Sequence, residues 1–346
     1  MTAEPSSTPR YCAPCHPTVI TEMRDVAATA DGFVAIGSQT DAALVWTSTD
    51  GTSWRLAAFP DPEGRTLNAV AVNGATSVIV GSTPDGVAAW SRRGSEDWRP
   101  AQLGAEPGAA TAVVADGDGF LAAGYVGPQF GLAHAAFWHS TDGRAWERVP
   151  DAPAFDDGRV RALSSTAAGF VAVGHRGSPG SDDLQAVSWT SADGISWQRS
   201  ASQPALADSL MQSVIAVEGR VVAVGTKAAG DAAVAWTSTD GLQWRRAADA
   251  PALHSNSTYA PHAEMSDLAA IGGRLVAVGW NSSPSNGSAV IWTSPDGVTW
   301  TREPDEPSLS GGGMAAATAE DGLVIAVGST GWPDTHAATA WRHSSH

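Results

Sequence analysis

The sequence predicts an all-β fold, a seven-bladed β-propeller of four-stranded antiparallel blades, and three observations predict it. Tryptophan pairs eight residues apart recur along the chain, a short β-branched run precedes each pair, and the repeats fill nearly the whole sequence. The first tryptophans of successive repeats are 44, 48, 51, 47, 56 and 49 residues apart. One structural unit of this length is therefore repeated seven times.

The first two strands of each repeat are predicted from short apolar runs. The second strand reads GFVAVG at 169–174 and RVVAVG at 220–225, and such β-branched runs bounded by glycine are typical of buried strands. The first strand comes just before, as in NAVAV at 68–72. A tight turn such as ADG at 30–32 joins the two strands into a hairpin.

The third strand carries the first tryptophan of each pair, and the fourth strand starts at the second tryptophan. The pairs are Trp46/Trp54, Trp90/Trp98, Trp138/Trp146, Trp189/Trp197, Trp236/Trp244 and Trp292/Trp300, and a seventh repeat stops after Trp341. Each repeat is thus a four-stranded meander, and meanders arranged in a ring make a propeller. An open solenoid would need terminal repeats with polar outer faces, whereas the terminal repeats here are as apolar as the internal ones.

The segment between the third and fourth strands has the pattern S-x-D-G-x-x-W in five repeats. It begins at Ser48, Ser140, Ser191, Ser238 and Ser294. We expect a turn in which the serine and aspartate side chains accept hydrogen bonds from backbone N–H groups, glycine takes a positive φ and tryptophan packs beneath. These aspartates are therefore expected to be structural.

This pattern resembles the Asp-box, also called the bacterial neuraminidase repeat, in a form shortened by one residue. The resemblance covers nearly the whole chain and implies a propeller, without pointing to a specific member. It implies no single activity, because Asp-boxes occur in sialidases, other glycosidases, photosystem assembly factors and sorting receptors.

The seventh repeat ends at His346, before a fourth strand can form. We expect part of residues 8–18 to supply that strand and to join the two ends of the chain. Residues 1–20 are then an N-terminal spacer and closing strand, and residues 21–346 are a single propeller domain.

The charge of the chain excludes several partner classes. The formal net charge is −16, with a single lysine, Lys227, so nucleic acids and anionic membranes are disfavoured partners. No apolar run approaches the roughly 18 residues of a spanning helix. We expect a monomer whose partner is a small molecule or sugar, or else a protein.

The N-terminal segment leaves the localisation open. Residues 1–10 lack the basic and apolar regions of a signal peptide. Their Ser, Thr and Pro content is typical of a spacer that follows a removed signal or lipid anchor, which favours an acidic, secreted protein. Taken literally, the chain is cytoplasmic.

Cys12, Cys15 and His16 match the C-x-x-C-H pattern of haem c attachment. A short motif of this kind is weak evidence, and a closing strand leaves little room for a macrocycle. We expect a local disulfide or two free thiols, with no haem or other cofactor. A metal site is not expected either, because zinc would need distant histidines as further ligands.

Aligned repeats place two carboxylates at the same strand entrance, Glu22 in the first repeat and Glu264 in the sixth. They flank the seventh repeat, where residues 311–313 are all glycine. The two tryptophans outside the framework, Trp280 and Trp332, follow the second strands of repeats six and seven. We expect these side chains to enclose a small polar site at the mouth of the channel.

Further ligand-binding candidates lie in loops of the same face. In the same sector they are Tyr259, His262, His336 and Arg24, and elsewhere on the ring they are Tyr125 and His175. The structural alternative is that Glu22 pairs with Arg24 and that the tryptophans only plug the channel.

Three functions suit this composition. The first is a non-catalytic module that binds a carbohydrate or peptide, and we favour it. The second is a glycosidase or lyase with Glu22 and Glu264 as acid and base or nucleophile, which for a glycosidase requires carboxyl groups about 5 to 9.5 Å apart. A typical sialidase is not expected, because the family's F/Y-R-I-P motif is missing near the start. The third is a protein-interaction scaffold.

Overall fold

A computed structural model describes residues 20–128, 133–177, 183–257, 261–282, 287–320, 322–331 and 336–344. These residues form seven antiparallel sheets that follow one another along the chain. Within each sheet the strands pair in sequence order, so each repeat is one meander. The predicted seven-bladed propeller is confirmed.

The strands are short and evenly spaced. Blades one to three contain β1 (Thr21–Thr29), β2 (Gly32–Gln39), β3 (Ala42–Ser48) and β4 (Arg55–Ala57); β5 (Thr66–Asn73), β6 (Thr76–Thr83), β7 (Gly86–Arg93) and β8 (Arg99–Gly104); and β9 (Gly108–Asp116), β10 (Gly119–Val126), β11 (His134–Ser140) and β12 (Glu147–Arg148). Blades four and five contain β13 (Arg159–Thr166), β14 (Gly169–Arg176), β15 (Gln185–Ser191) and β16 (Gln198–Arg199); and β17 (Ser209–Val217), β18 (Arg220–Lys227), β19 (Ala233–Ser238) and β20 (Arg245–Arg246). Blades six and seven contain β21 (Ala263–Ile271), β22 (Arg274–Ser282), β23 (Gly287–Ser294) and β24 (Thr301–Arg302); and β25 (Gly312–Glu320), β26 (Leu323–Thr330) and β27 (Ala337–Ser344).

The ring closes where blade one meets blade seven. The first strand of every blade packs against the first strands of its two neighbours, and β1 packs against β25. Next to this contact the N–H of Thr21 donates to the carbonyl of His336 at 3.0 Å, and Ile20 forms a parallel bridge with His336. Blade seven has three strands in the described part of the chain. The predicted closing strand within residues 8–18 lies outside it.

The hydrophobic core is divided among the seven interfaces between blades. Each interface has its own cluster of buried side chains. The first tryptophan of each repeat is at most 2% exposed, and Trp189 belongs to the cluster between blades three and four. The repeating tryptophan is therefore the bulk that fills the wedge between neighbouring sheets.

Almost no helix is present among the described residues, as predicted. Four single-turn 3₁₀ helices lead into blades four to seven, at Pro153–Phe155, Pro204–Leu206, Pro251–Leu253 and Pro307–Leu309. Each buries its third residue. Each also accepts a hydrogen bond from the first tryptophan of the blade that follows, as Trp189 Nε1 does with the carbonyl of Ala154 at 2.7 Å. The tryptophan thus fixes the connection between blades as well as the core.

The S-x-D-G segments form the expected turn. In the first repeat, Ser48 Oγ accepts from the N–H of Gly51 at 2.9 Å, and Asp50 Oδ1 accepts from the two following N–H groups, both at 2.8 Å. Gly51 has a φ of +72°, and Trp54 Nε1 donates to its carbonyl at 3.3 Å. The same bonds to aspartate recur in the other four turns.

Candidate functional site

The channel mouth is formed where the first strand of each blade begins and the second ends. Backbone pairing places the residue after each second-strand glycine opposite the entrance residue that the sequence alignment singled out. Glu22 pairs with Ser38, and Glu264 pairs with Trp280. The aligned positions of different repeats therefore lie at one level of the ring.

Every first strand carries a β-bulge at this level. One extra residue interrupts the pairing with the second strand, and it is Arg24, Asn68, Thr111, Arg161, Gln212, Ser266 or Ala315 in blades one to seven. A bulge turns the side chain of its extra residue away from the regular alternation of the strand. These seven positions form what we call the bulge ring.

The second-strand glycine makes each bulge possible. A Cβ atom on Gly174 would lie 1.9 Å from the carbonyl oxygen of Arg159, and in all seven blades the equivalent distance is between 1.8 and 2.1 Å. No side chain fits there without moving the bulged backbone. The close approach of the first and second strands therefore requires glycine at this position of each blade.

Blade six brings together four of the predicted site residues or their neighbours. Glu264 Oε2 lies 3.5 Å from His262 Nε2, and the ring centroids of His262 and Trp280 are 4.6 Å apart. Trp280 lies over Gly313 of blade seven, where a Cβ would be 3.4 Å from the indole. The structure thus brings Glu264, His262 and Trp280 together beside Gly313.

Glu22 has a partner of its own. Its Oε1 lies 2.6 Å from Arg24 Nη2 and 3.5 Å from Ser38 Oγ. Glu264 instead accepts from Gln212 Nε2 at 3.1 Å. Each carboxylate therefore has a separate set of neighbours, and among the described contacts none joins Glu22 to Glu264.

Tyr125 and His175 lie on the blade three and four side of the ring. The guanidinium of Arg159 is 4.3 Å from the centroid of the Tyr125 ring, a cation–π contact. His175 is 1% exposed. Its burial, and then the positive charges of Arg161 and Arg159, lower the pKa of His175 to about 3, so it is neutral near pH 7. His175 therefore has almost no surface of its own for a ligand.

Arg161, the bulge residue of blade four, is exposed and lines a cavity at the channel mouth. Loss of surrounding bulk water lowers the pKa of its guanidinium, and the negative charge of Glu264 counteracts this. No described residue forms an ion pair or hydrogen bond with Arg161. It is a charged group held in the lumen without a partner among those residues.

A cavity of about 480 Å³ opens beside Arg161. Its walls come from blades two to four and include Tyr125, Asn68 and Thr111 together with the loop residues Ser82 and Thr83. The lining thus offers hydroxyl groups, an amide, an aromatic ring and one guanidinium.

Deeper in the channel, two aspartates link neighbouring blades. Asp25 accepts from the N–H of Val70 at 2.7 Å, and Asp267 accepts from the N–H of Ala317 at 2.8 Å. Loss of bulk solvent, and then the charge of Asp267, raise the pKa of Asp25 to about 7. Loss of bulk solvent also raises the pKa of Asp267.

Several predicted site residues cannot be placed. Trp332, Tyr259, Cys12, Cys15 and His16 lie outside the described residues. His336 lies at the ring closure through its backbone bond to Thr21.

The polar bulge residues Arg161, Gln212, Asn68 and Thr111 were not among the predicted site residues. The signal is present in the sequence, because buried apolar residues at this level are three apart instead of two. Met23 and Val26 show this spacing in blade one, and Met211 and Val214 show it in blade five. A break of this kind in a strand's alternation, at the same place in each repeat, indicates a bulge.

A larger cavity, about 730 Å³, lies on the opposite face between blades four and five. Its walls are hairpin and S-x-D-G turn residues, including Ala167, Glu218 and Asp240. A similar groove of about 470 Å³ lies between blades one and two. We regard these grooves as a product of the repeat geometry, because the turns that line them recur from blade to blade.

Among the residues described, no group of three or more His, Cys, Asp or Glu side chains could hold a metal ion. In the same residues no helix is long and apolar enough to cross a membrane.

No protein-family model matches the sequence, and a search of curated proteins finds no match. Solved structures with similar folds include YCF48 bound to D1 peptide, at 16% identity and a TM-score of 0.61 over 98% of each chain. The WD40 β-propeller domain of Doa1 has 11% identity and a TM-score of 0.59, over 99% of this chain and 97% of that one. Phage phi92 endosialidase has 11% identity and a TM-score of 0.57, over 99% and 69%. At these identities the likeness shows the propeller fold alone.

Proposed function

We propose that the protein is a non-catalytic binding module that holds a small polar ligand, a carbohydrate or a peptide, at the channel mouth. The observation that carries this proposal is the cavity of about 480 Å³ beside Arg161, with Tyr125 and Asn68 in its walls. Ligand sites are usually concave, with a few well-placed polar groups and an aromatic surface. The cavity has this composition.

The surroundings of the two glutamates favour binding over catalysis. Glycosidases use one protonated and one ionised carboxyl group on either side of the bond they cut. Glu22 instead forms a close ion pair with Arg24, and Glu264 accepts from Gln212. We therefore infer that both glutamates serve as hydrogen-bond acceptors at the mouth rather than as an acid and base pair.

The repeat itself is part of the proposal. We infer that the S-x-D-G-x-x-W turns are a shortened Asp-box and that residues 21–346 act as one scaffold with a variable mouth. The regular hydrogen bonds of Asp50 and its counterparts support this, because Oδ1 of each aspartate accepts from N–H groups of its own turn. A structural relative bound to a peptide adds no support at 16% identity.

A calorimetric screen of neutral sugars, acidic sugars and short peptides tests the proposal. We expect binders whose affinity falls at least about 10-fold in Tyr125→Ala or Trp280→Ala, because aromatic surfaces dominate recognition of small ligands. The matched control is Ile195→Ala, which removes a 50%-exposed apolar side chain from a turn on the opposite face. Its affinities should equal those of the wild type.

Two results would contradict binding at the mouth without catalysis. One is a set of binders that lose affinity in neither aromatic variant. The other is turnover of a glycoside that disappears in Glu22→Gln or Glu264→Gln, which would establish the enzyme instead.

A further inference from the structure

Two opposite charges face each other across the mouth without touching. Arg161 on β13 and Glu264 on β21 belong to blades four and six, whose first strands both pack against β17 of blade five. Gln212 of β17 donates to Glu264, and the charge of Glu264 acts on the guanidinium of Arg161. No ion pair within 4.0 Å joins them, whereas Glu22 and Arg24 at the same level are 2.6 Å apart. The space between Arg161 and Glu264 is thus bounded by a cation on one side and an anion on the other.

Glu264 is suited to hold a cation. Oε1 accepts from Gln212 at 3.1 Å and from Ser266 Oγ at 3.5 Å, and Oε2 lies 3.5 Å from His262. A carboxylate has about four acceptor positions, and this side chain is 25% exposed, so it has room for a further donor. Trp280 is its cross-strand partner, so an indole lies beside it. A carboxylate next to an indole is the combination that attracts an ammonium group, through charge and through the aromatic quadrupole.

Arg161 is suited to hold a carboxylate. Its guanidinium has five N–H donors in a planar fork, and that geometry matches a carboxylate with two parallel hydrogen bonds. The nearby side chains give it no counter-charge at close range, because Arg159 is also positive and His175 is neutral. An anionic group from outside the chain would supply the missing partner.

We propose that the mouth binds a small zwitterion, with its carboxylate on Arg161 and its ammonium between Glu264 and Trp280, and this assignment rests on the binding function proposed above. A ligand of this kind neutralises both charges at once. A simple anion would bring a second negative charge towards Glu264, and a neutral sugar would leave both charges partly desolvated without a partner. The chemical class is an amino acid, free or at the end of a larger molecule that keeps both groups.

A series of ω-amino acids of increasing length measures the distance between the two charged groups of this site. Glycine, β-alanine, 4-aminobutanoate and 6-aminohexanoate are titrated into the full chain by calorimetry, and one spacing between the charges should bind best. N-acetylation of that compound, or conversion of its carboxylate to the amide, should each weaken binding by about 10- to 100-fold, the range for a hydrogen bond to a charged group. The N-acetylated compound keeps only the free carboxylate, and the amidated compound keeps only the free amine. Comparing the two distinguishes recognition of one terminal group from recognition of a complete amino acid.

Two variants assign each end of the ligand. In Arg161→Gln, amidating the ligand should no longer matter, while acetylation still weakens binding. In Glu264→Gln the reverse should hold. The controls are Arg176→Gln on the same blade, whose guanidinium binds Gln185, and Glu147→Gln on the outer strand of blade three. Both controls should bind the series as the wild type does.

Three outcomes overturn the inference. Neutral sugars that bind at the mouth with equal affinity in both charge variants would leave the binding module standing and remove the zwitterion. A second outcome is that Arg161→Gln loses binding while acetylation of the ligand changes its affinity for none of the proteins. The ligand would then be a simple anion. If none of the amino acids or sugars binds, the proposed binding function at the mouth is contradicted as well. The ligand modifications use the wild-type chain, so they test the inference even if a variant fails to fold.

Discussion

At the scale of single residues, the repeat separates side chains that hold the fold from side chains that face the lumen. Trp189 fills an interface between blades and bonds to the connection before its own blade. Asp193 accepts two backbone N–H groups within a turn. Arg161 does neither, although it lies only two residues from the buried Leu163. The first kind recurs in register along the chain and the second kind varies.

The packing role of the repeated tryptophans predicts a large loss of stability when one of these side chains is shortened to alanine. Trp189→Ala should lower the free energy of unfolding by about 3 to 5 kcal/mol, because a buried indole leaves a cavity between two sheets. Urea denaturation followed by circular dichroism measures the change. Ile195→Ala, at an exposed site, should stay close to the wild type. An unchanged urea midpoint in Trp189→Ala would contradict its place in the interface.

The turn aspartates predict a loss of stability in acid. The N–H groups of Ser196 and Ile195 hold the pKa of Asp193 at about 2, below its usual value near 3.9. A pKa lower in the folded than in the unfolded chain adds stability that is present above about pH 4 and lost as the pH falls towards 2. Asp193→Asn should be less stable at pH 6 and lose less between pH 4 and 2. Thermal melts across this range compare the two proteins. If both lose the same stability between pH 4 and 2, the turn carboxylate is not a cause of the loss in acid.

At the scale of the strand, the bulge and its glycine are one unit repeated seven times. The extra residue can leave the regular pairing only because the facing glycine has no Cβ. Sequence alone predicts the strands, their order and the position of the glycine, since apolar runs and turn residues define them. It does not show the bulge directly, because an unpaired residue becomes evident only once the partner strand is known. Arg161 and Gln212 are therefore absent from the site residues that the sequence predicts.

This unit predicts a position-dependent effect of adding one methyl group. Gly174→Ala should destabilise the protein by about 1 to 3 kcal/mol, since its Cβ would meet the carbonyl of Arg159 at 1.9 Å and the bulge would have to shift. Gly104→Ala is the matched control, because a Cβ there has no atom within 4 Å. Urea midpoints compare the two variants. Equal urea midpoints would show that the bulge shifts without lowering the free energy of unfolding.

At the scale of the whole molecule, the ring depends on a contact between its first and last blades. β1 packs against β25, and Thr21 bonds to His336. The number of blades and their order were predicted from the tryptophan spacing alone, because each repeat must bury both faces against neighbours. Distances across the channel could not be predicted, since they depend on how seven sheets tilt around one axis. This is why Glu22 and Glu264 were proposed as a pair although the structure gives each its own partners.

The ring contact predicts a role for the N-terminal segment. Deleting residues 1–18 should lower both melting temperature and solubility, because a blade with an unpaired edge strand favours association with other chains. Differential scanning fluorimetry and light scattering measure the two effects. A truncated chain that melts like the full one and remains monodisperse would show that blade seven needs no strand from this segment.

The bulge ring separates the choice of most lumen side chains from the apolar packing that holds the blades together. Its seven positions read Arg, Asn, Thr, Arg, Gln, Ser and Ala from blade one to blade seven. None of these side chains belongs to the apolar clusters between the blades. Asn68 and Thr111 also donate to the carbonyls of Ala110 and Val160 in the next blade, at 2.9 and 2.7 Å. A combinatorial library at the other five positions would therefore sample mouths of different charge and size while the packing between the blades stays the same.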